Sequence, residues 1–401
     1  MKIAVPRETA EGETRVALTP QIAGQLVADG HEVLVQSGAG SASSNPDEAY
    51  REAGATIVPD AAALYGQAEM VLRVGRPSDE EVEMLPSGTV LIGTLGTLAK
   101  PEVAQKLAKR GVTAISMDAI PRITRAQSMD TLSSQATVGG YKAVLIAAER
   151  LPKFFPLLTT AAGTIRPARG IVMGAGVAGL MAIGTARRLG AVVEATDVRP
   201  VVKEQVESLG GTFIEVEMTD EEKAQAETAG GYAREMSDDY KRRQAELIAE
   251  RVKEADFIIT TALIPGRPAP KLVTEAMLKS MRPGSVIVDM AAEMGGNVEG
   301  TEPNKEVVKH GVTLIGITNL PATMPHSATQ MYAKNLQTLI KHLTPEGTLT
   351  LDFDDEITRG ATITHDGKVV HEATAKALGI DVVEPTTAPA AEPAASEKKD
   401  A

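Results

Sequence analysis

Short apolar runs rich in Val, Ile and Ala recur along the chain, separated by longer stretches whose apolar residues fall at helical spacing. Over the first third, Lys2–Val5, Glu32–Gln36, Thr56–Val58, Met70–Val74, Val90–Gly93 and Val112–Met117 read as strands. Runs this apolar suit strands buried on both faces of a parallel sheet. Pro20–Asp29 and Pro101–Arg110 read as helices between them, the first with Thr19 as N-cap and Pro20 at the first helical position. A long helical stretch from about Thr131 to Leu151 leads away from this βαβ series.

A second series follows, with strands at Ile171–Met173, Val192–Thr196, Thr212–Val216, Phe257–Thr261, Ser285–Asp289 and Val312–Gly316 and a helix at Leu180–Leu189. After Pro321 a helix at Ser327–His342 returns to the first domain, and Ile357–Thr364 and Lys368–His371 flank Asp366-Gly367 as a hairpin. From Ile380 the chain turns to Pro, Ala, Glu and Lys without periodicity, the pattern of a disordered tail. The predicted architecture is α/β: two Rossmann-like doubly wound domains with a cofactor cleft between them. The first comprises residues 1–135 plus 322–379, the second 136–321, and the tail 380–401.

Composition narrows the chemistry. With 401 residues the chain has room for two cores, and with aromatics at only 3% those cores are aliphatic. The absence of Cys excludes disulfides and thiolate sites, and the six His (31, 310, 326, 342, 365, 371) show no metal-ligand spacing, so no metal is expected. His326 reads as a surface or capping residue. Acids outnumber bases 53 to 41, a balance that disfavours nucleic acid and anionic lipid. The Met1–Pro6 start has no signal-peptide pattern, and the longest uncharged apolar run, Gly170–Ala186, is short and Gly-rich for a membrane span. No direct membrane insertion is expected.

That same run holds the glycine fingerprint Gly174-Ala-Gly176-Val177-Ala-Gly179, between a strand and a helix. Gly174 permits a tight turn, Gly176 lets a pyrophosphate approach the backbone, and Gly179 lets helix and strand pack closely. The helix N-terminus offers N–H groups and partial positive charge to phosphates. Asp197, closing the next strand, can accept from both ribose hydroxyls and repels a 2′-phosphate, which favours NAD(H); nearby Arg199 leaves NADP(H) open.

Two further segments carry chemistry. Pro121–Gln135 is dense in hydrogen-bonding groups where the first domain hands over to the second. Arg122 supplies fixed donors, Asp130 accepts, Ser133 does both, and Gln127 is a neutral amide, a set that matches a nicotinamide carboxamide. The alternative is structural: Asp130 as a helix N-cap with Ser133 and Ser134 on a solvated first turn. The long charged insertion between Val216 and Phe257 carries Gly230-Gly231-Tyr232, which reads either as a hinged loop closing over a cofactor or as a solvated surface helix.

The loop Arg122-Ile-Thr-Arg-Ala-Gln127-Ser128-Met-Asp130-x-Leu-Ser133-Ser134-Gln135, the fingerprint with Thr196-Asp197-Val198-Arg199, and Thr260–Gly266 together resemble the soluble NAD(H)-binding component of proton-translocating NAD(P) transhydrogenases. The resemblance runs from Met1 to about Gly379. It implies that Arg122, Ser128, Asp130 and Ser133 hold the nicotinamide end, with Gln127 reaching toward a second nucleotide. Gln127 and Asp130 are then the catalytic residues, by positioning rather than acid–base chemistry. It further implies that Gly174, Gly176, Val177, Gly179, Asp197, Val198 and Arg199 bind the rest of NAD(H), with Gly231 and Tyr232 in a mobile loop and Gln244 and Leu263 as further contacts. NADP(H) is expected on a membrane-embedded partner subunit that also carries the proton channel. The chain itself is expected to be cytoplasmic, peripheral on the inner face of the membrane through that partner, and a homodimer. Phe154–Ile165 is the candidate intersubunit contact.

The opening Glu13–Pro20 also resembles alanine dehydrogenase, in which Arg15 sits at the substrate-carboxylate position. Oxidising an amino acid calls for acid–base groups, and the lysine and histidine positions of that family are Gly75 and Gly96 here. Arg73 and Arg76 cannot replace the lysine as proton carriers. Hydride transfer between two nicotinamides needs no such groups, only rings held with reacting carbons ~3–3.5 Å apart. Gly75 and Gly96 are therefore expected to line an opening for the incoming ring. The alternatives are an alanine dehydrogenase-like oxidoreductase and a non-catalytic NAD-binding protein.

Overall fold

The computed structural model describes residues 1–216, 238–263 and 267–385. The chain divides into two α/β units, Met1–Leu132 with Pro325–Ala401, and Ser133–Met324. The divisions fall at the first turn of the helix Thr131–Arg150 and the start of the helix Pro325–Leu343, three residues from each sequence-predicted boundary.

In chain order the strands are β1 (Lys2–Val5), β2 (Glu32–Gln36), β3 (Thr56–Val58), β4 (Met70–Leu72), β5 (Val90–Gly93) and β6 (Thr113–Ser116). The second unit adds β7 (Leu158–Thr160), β8 (Gly163–Ile165), β9 (Arg169–Met173), β10 (Val192–Thr196), β11 (Thr212–Phe213), β12 (Phe257–Thr260), β13 (Val286–Asp289), β14 (Glu306–Lys309) and β15 (Val312–Ile315). The returning chain contributes β16 (Thr362–His365) and β17 (Lys368–Val369).

The first unit's sheet has the order β17-β16-β6-β5-β4-β1-β2-β3, with β1 to β6 parallel and β16 and β17 antiparallel at one edge. Alternate side chains feed two cores: Ile3, Val5, Met70, Leu72, Val90 and Ile92 on one face, Ala4, Leu34, Val71 and Leu91 on the other. This is why each strand reads as a continuous apolar run rather than an alternating one. The helix Pro20–Ala28 begins where Thr19 accepts from the Ile22 N–H, as its sequence predicts.

The second unit's sheet runs β11-β10-β9-β12-β13-β15-β14, all parallel except β14. With β9 inside and the order reversing beside it, this is the doubly wound arrangement in which ligands bind beyond the strands' carboxyl ends. Gly140 of the helix Thr131–Arg150 lies against the fingerprint helix Val177–Arg188: a Cβ there would stand 2.1 Å from the Ala178 carbonyl oxygen. Within the second sheet, Gly170 leaves room for the Phe257 ring, which stacks on Phe155 at 4.6 Å.

Four expectations are corrected. Ile357–Ala361 is not strand but helix, Glu356–Ala361, because Asp355 accepts from the N–H groups of Ile357 and Thr358 and starts one. Only Thr362–His365 continues as strand into the hairpin, where Asp366 and Gly367 both take positive φ (47° and 72°). The expected Thr212–Val216 strand pairs over Thr212–Phe213 alone. Six expected strands in the second sheet are seven, since Glu306–Lys309 adds an antiparallel edge. The fingerprint helix begins at Val177, not Leu180.

Phe154–Ile165 forms the β7–β8 hairpin, with Phe154, Leu157 and Ile165 exposed and Phe155 buried. Of the expected tail, residues from 386 lie outside the described residues.

Candidate functional site

In the second unit the chain leaves β9 through Gly174 at φ +102°, a conformation that excludes ordinary side chains. A Cβ at Gly179 would lie 1.8 Å from the Gly174 carbonyl oxygen, so this glycine is required for helix and turn to touch. Gly176 differs: a Cβ there would meet only the Arg199 guanidinium, at 3.9 Å. Of the three, then, one makes the turn, one allows close packing, and one leaves open space beside the helix start. No side chain caps that helix at Gly176, which leaves its first N–H groups and their positive field for an anion.

Asp197 follows β10 and reaches back to the turn. Its Oδ2 accepts from the Ala175 N–H at 2.7 Å, and its Oδ1 from the Arg199 N–H at 2.8 Å. The Arg199 guanidinium adds Nε to Oδ1 at 3.0 Å and Nη2 to Oδ2 at 3.1 Å. Burial pushes this carboxyl up, but the bonds from Arg199 and Ala175 outweigh it and hold it below the ordinary carboxylate range.

Val177, Val198 and Leu263 follow three neighbouring strands, β9, β10 and β12, and are 42%, 73% and 53% exposed. Apolar side chains left in solvent at these strand ends are the surface a flat ring would cover. Gln244 is half-buried on the separate helix Asp238–Val252 and takes no part in the hydrogen bonds around Asp197. Gly231 and Tyr232 lie outside the described residues.

Asn297 and Asp289 are site-supporting residues that sequence reasoning missed. Asn297, fully buried, clamps the segment after β12: its Oδ1 accepts from the Ala262 N–H and its Nδ2 donates to the Ala262 and Pro270 carbonyls. Thr261 Oγ1 in that segment donates to the Gly174 carbonyl at 3.0 Å. Asp289, also fully buried, accepts from Thr260 Oγ1, Thr301 Oγ1 and the N–H groups of Ala291 and Val298. The only sequence signal for either was the Gly295-Gly296 pair beside Asn297.

In the first unit, Thr124–Met129 is a 3₁₀ helix. With three residues per turn, side chains three apart stand in one row. Ala126 and Met129 form the buried row, at 1% and 4% exposure. Thr124, Gln127 and Asp130 share another, with Gln127 exposed and Asp130 half-buried. The two residues expected to position the nicotinamides therefore stand on one side of a short helix. Arg122 and Ser128 are exposed, while Ser133 is half-buried in the first turn of the helix Thr131–Arg150.

Beside this segment the first sheet's own switch point, where β1 and β4 diverge, is filled. Arg73, 1% exposed, donates from Nη2 to Glu8 Oε2 at 3.0 Å and from Nη1 to the Tyr65 hydroxyl at 2.9 Å, with Glu81 Oε1 at 2.5 Å. Glu8 Oε1 takes the Val74 N–H at 2.6 Å. Burial pushes the Glu8 carboxyl up against the pull of Arg73.

The expected roles of Gly75 and Gly96 divide. A Cβ at Gly75 would meet only Glu8 Oε2 at 3.8 Å, so that position is open. Gly96 takes φ +62°, and the space beside it holds Arg76 Nη1, 3.3 Å from where a Cβ would be. Backbone conformation, not room for a ring, explains glycine there.

Among the described residues no helix is long and apolar enough to cross a membrane. Residues 4–139 match the family model for the alanine dehydrogenase/PNT N-terminal domain, and 143–372 that for the C-terminal domain. The chain is 49% identical over 383 residues to the first of the two-part NAD(P) transhydrogenase alpha subunits, that of Rhodospirillum rubrum, covering 93% of this chain and 98% of the relative. It is 34% identical over 394 residues to alanine dehydrogenase of Bacillus subtilis, covering 96% of each. Among solved structures, transhydrogenase from Sinorhizobium meliloti superposes with a TM-score of 0.81 at 43% identity, over 93% of this chain and 100% of that one. An L-alanine dehydrogenase gives 0.80 at 27%, over 94% and 99%.

Proposed function

The chain belongs to the alanine dehydrogenase/PNT family, on its transhydrogenase alpha-subunit side, and from that premise we propose that it is the NAD(H)-binding component of a proton-translocating transhydrogenase. It holds NAD(H) and passes hydride to or from NADP(H) on a partner subunit, whose membrane domain carries the coupled protons. The bound dihydronicotinamide supplies the hydride.

The chain's residues bind and orient. The glycine turn and the helix start at Val177 receive the pyrophosphate, Asp197 accepts from the adenosine ribose, and Arg122, Ser128, Asp130 and Ser133 hold the carboxamide end. Gln127, exposed on the same row as Asp130, is placed to reach outward to the second nucleotide. Localisation is then peripheral, on the cytoplasmic face of the membrane through the partner, and the β7–β8 hairpin with its exposed Phe154, Leu157 and Ile165 is the homodimer contact.

One observation carries this reading over alanine dehydrogenase. At the two positions where the resemblance calls for a proton-carrying lysine and histidine, this chain has Gly75 and Gly96, and Arg76 beside Gly96 is a guanidinium that stays charged. A chain so equipped orients nucleotides but relays no proton at the reacting carbon.

The test is turnover by the purified protein. Alone it should bind NADH yet leave pyruvate and ammonia unreacted. Mixed with the NADP(H)-binding domain of a transhydrogenase, it should pass hydride from NADH to a thionicotinamide analogue of NADP⁺. Robust alanine–pyruvate interconversion would reverse the assignment.

A further inference from the structure

We propose that Arg125, Asp355 and Asn335 are positioning residues: together they set the rotation of the Thr124–Met129 helix and so the direction in which Gln127 and Asp130 are presented. The proposal rests on the reading above that this helix serves the nicotinamide end.

A six-residue 3₁₀ helix has poor hydrogen-bond geometry and little stability of its own, so its conformation is set by what it packs against. Ala126 and Met129 sink into the apolar cluster that contains Tyr332, Ala333 and Leu336 of the helix Pro325–Leu343, which fixes depth. Apolar contact is non-directional and leaves rotation weakly specified. Directional bonds supply the rest. Arg125 Nη1 meets Asp355 Oδ2 at 2.6 Å, and Asn335 Nδ2 donates to the Ser128 carbonyl at 2.8 Å. A turn of one residue about a three-fold helix, about 120°, would break both bonds and carry the Gln127–Asp130 row away from its present side.

Asp355 divides its two oxygens between two tasks. Oδ1 caps the helix Glu356–Ala361 through the Ile357 and Thr358 N–H groups and meets His342 Nε2 at 3.0 Å; Oδ2 takes Arg125. The capped helix therefore holds the carboxylate still, and the carboxylate holds the loop. Arg125 is 58% exposed and belongs to no core, so it can be removed without opening a cavity.

Three variants of the full chain test this, each read two ways. Hydrogen exchange of residues 124–130 in the nucleotide-free protein reports the anchor, and turnover with the partner's NADP(H)-binding domain at saturating nucleotide reports positioning. For Arg125→Ala, exchange should quicken by about tenfold or more. Turnover should fall about 10- to 100-fold, the cost of a misplaced orienting group, while ADP-ribose affinity is unchanged. Arg125→Lys should restore part of both. Asp355→Asn keeps the helix cap but removes the charge facing Arg125, and should reproduce the loss with the Glu356–Ala361 amides still protected. Unchanged exchange in Arg125→Ala, or faster exchange with normal turnover, overturns the proposal. A further variant, Asp130→Asn, separates the two levels. If it turns over normally, the nicotinamide assignment of the loop falls, and the exchange data alone decide whether the anchor exists.

Discussion

Arg199 lies across Asp197, its Nε on one carboxylate oxygen and its Nη2 on the other, so the acceptor expected for a ribose diol is already satisfied within the protein. The guanidinium side chain is 45% exposed and the carboxylate 6%. A ribose that takes Asp197 must therefore displace a cation that has somewhere to go. The same cation would also soften the repulsion between Asp197 and a 2′-phosphate. Arg199→Ala should accordingly raise the preference for NADH over NADPH by about tenfold, about 1.4 kcal/mol, in fluorescence titrations of the isolated chain. An unchanged ratio would mean that Arg199 plays no part in nucleotide choice.

Asp355 sets an acid limit. Burial pushes its carboxyl up, but the Thr358 N–H, Arg125 and His342 outweigh burial and bring it down to about 2. A carboxyl depressed in the folded state contributes stability above its unfolded value, near 4, and loses it as pH falls toward the folded one. The melting-temperature gap between the wild type and Asp355→Asn should therefore be full at pH 6 and close between about pH 4 and pH 2. A gap that stays constant over that window would show that the charge on Asp355 adds nothing to stability.

Glu8 guards the first sheet's switch point. Removing it strands the Arg73 guanidinium in the core with Glu81 and Tyr65 as remaining partners, and Arg73 Nε already has no acceptor among the described residues. Breaking a buried pair from one side costs about 3–5 kcal/mol, mostly the penalty of the charge left behind. Glu8→Ala should show that loss in urea unfolding, and a loss below about 1 kcal/mol would mean that water replaces the carboxylate.

Much of this architecture was legible because parallel strands buried on both faces leave continuous apolar runs, as in Val90–Gly93 and Phe257–Thr260. Glu306–Lys309 escaped because an edge strand with charged ends leaves no such run. Ile357–Ala361 was misread for another reason: its neighbours Ile363 and Thr362 are β-branched, and the capping carboxylate of Asp355 overrides local preference. At the site, the three glycine environments match what the fingerprint spacing implied. The row arrangement of the Thr124–Met129 helix was not visible, since its anchors Asn335 and Asp355 lie over 200 residues further along the chain. Gly96 shows the limit of reading a missing side chain as empty space, because its glycine answers to backbone conformation.

Gly176 and Gly179 stand three residues apart in one motif, yet the structure assigns them opposite sensitivities. A Cβ at Gly179 would overlap the Gly174 carbonyl at 1.8 Å, and backbone cannot yield as a flexible side chain can. Gly179→Ala should therefore unsettle the turn itself, with a stability loss of about 1–3 kcal/mol from overpacking and NADH binding lost with it. At Gly176 the added methyl meets only the end of Arg199, at van der Waals distance, so the fold should keep its melting temperature. What it loses is the close approach of a phosphate to the helix N-terminus. Gly176→Ala should thus weaken NADH at least tenfold while thermal unfolding is unmoved. Normal NADH affinity in a stable Gly176→Ala protein would place the pyrophosphate elsewhere and remove the fingerprint from the binding site.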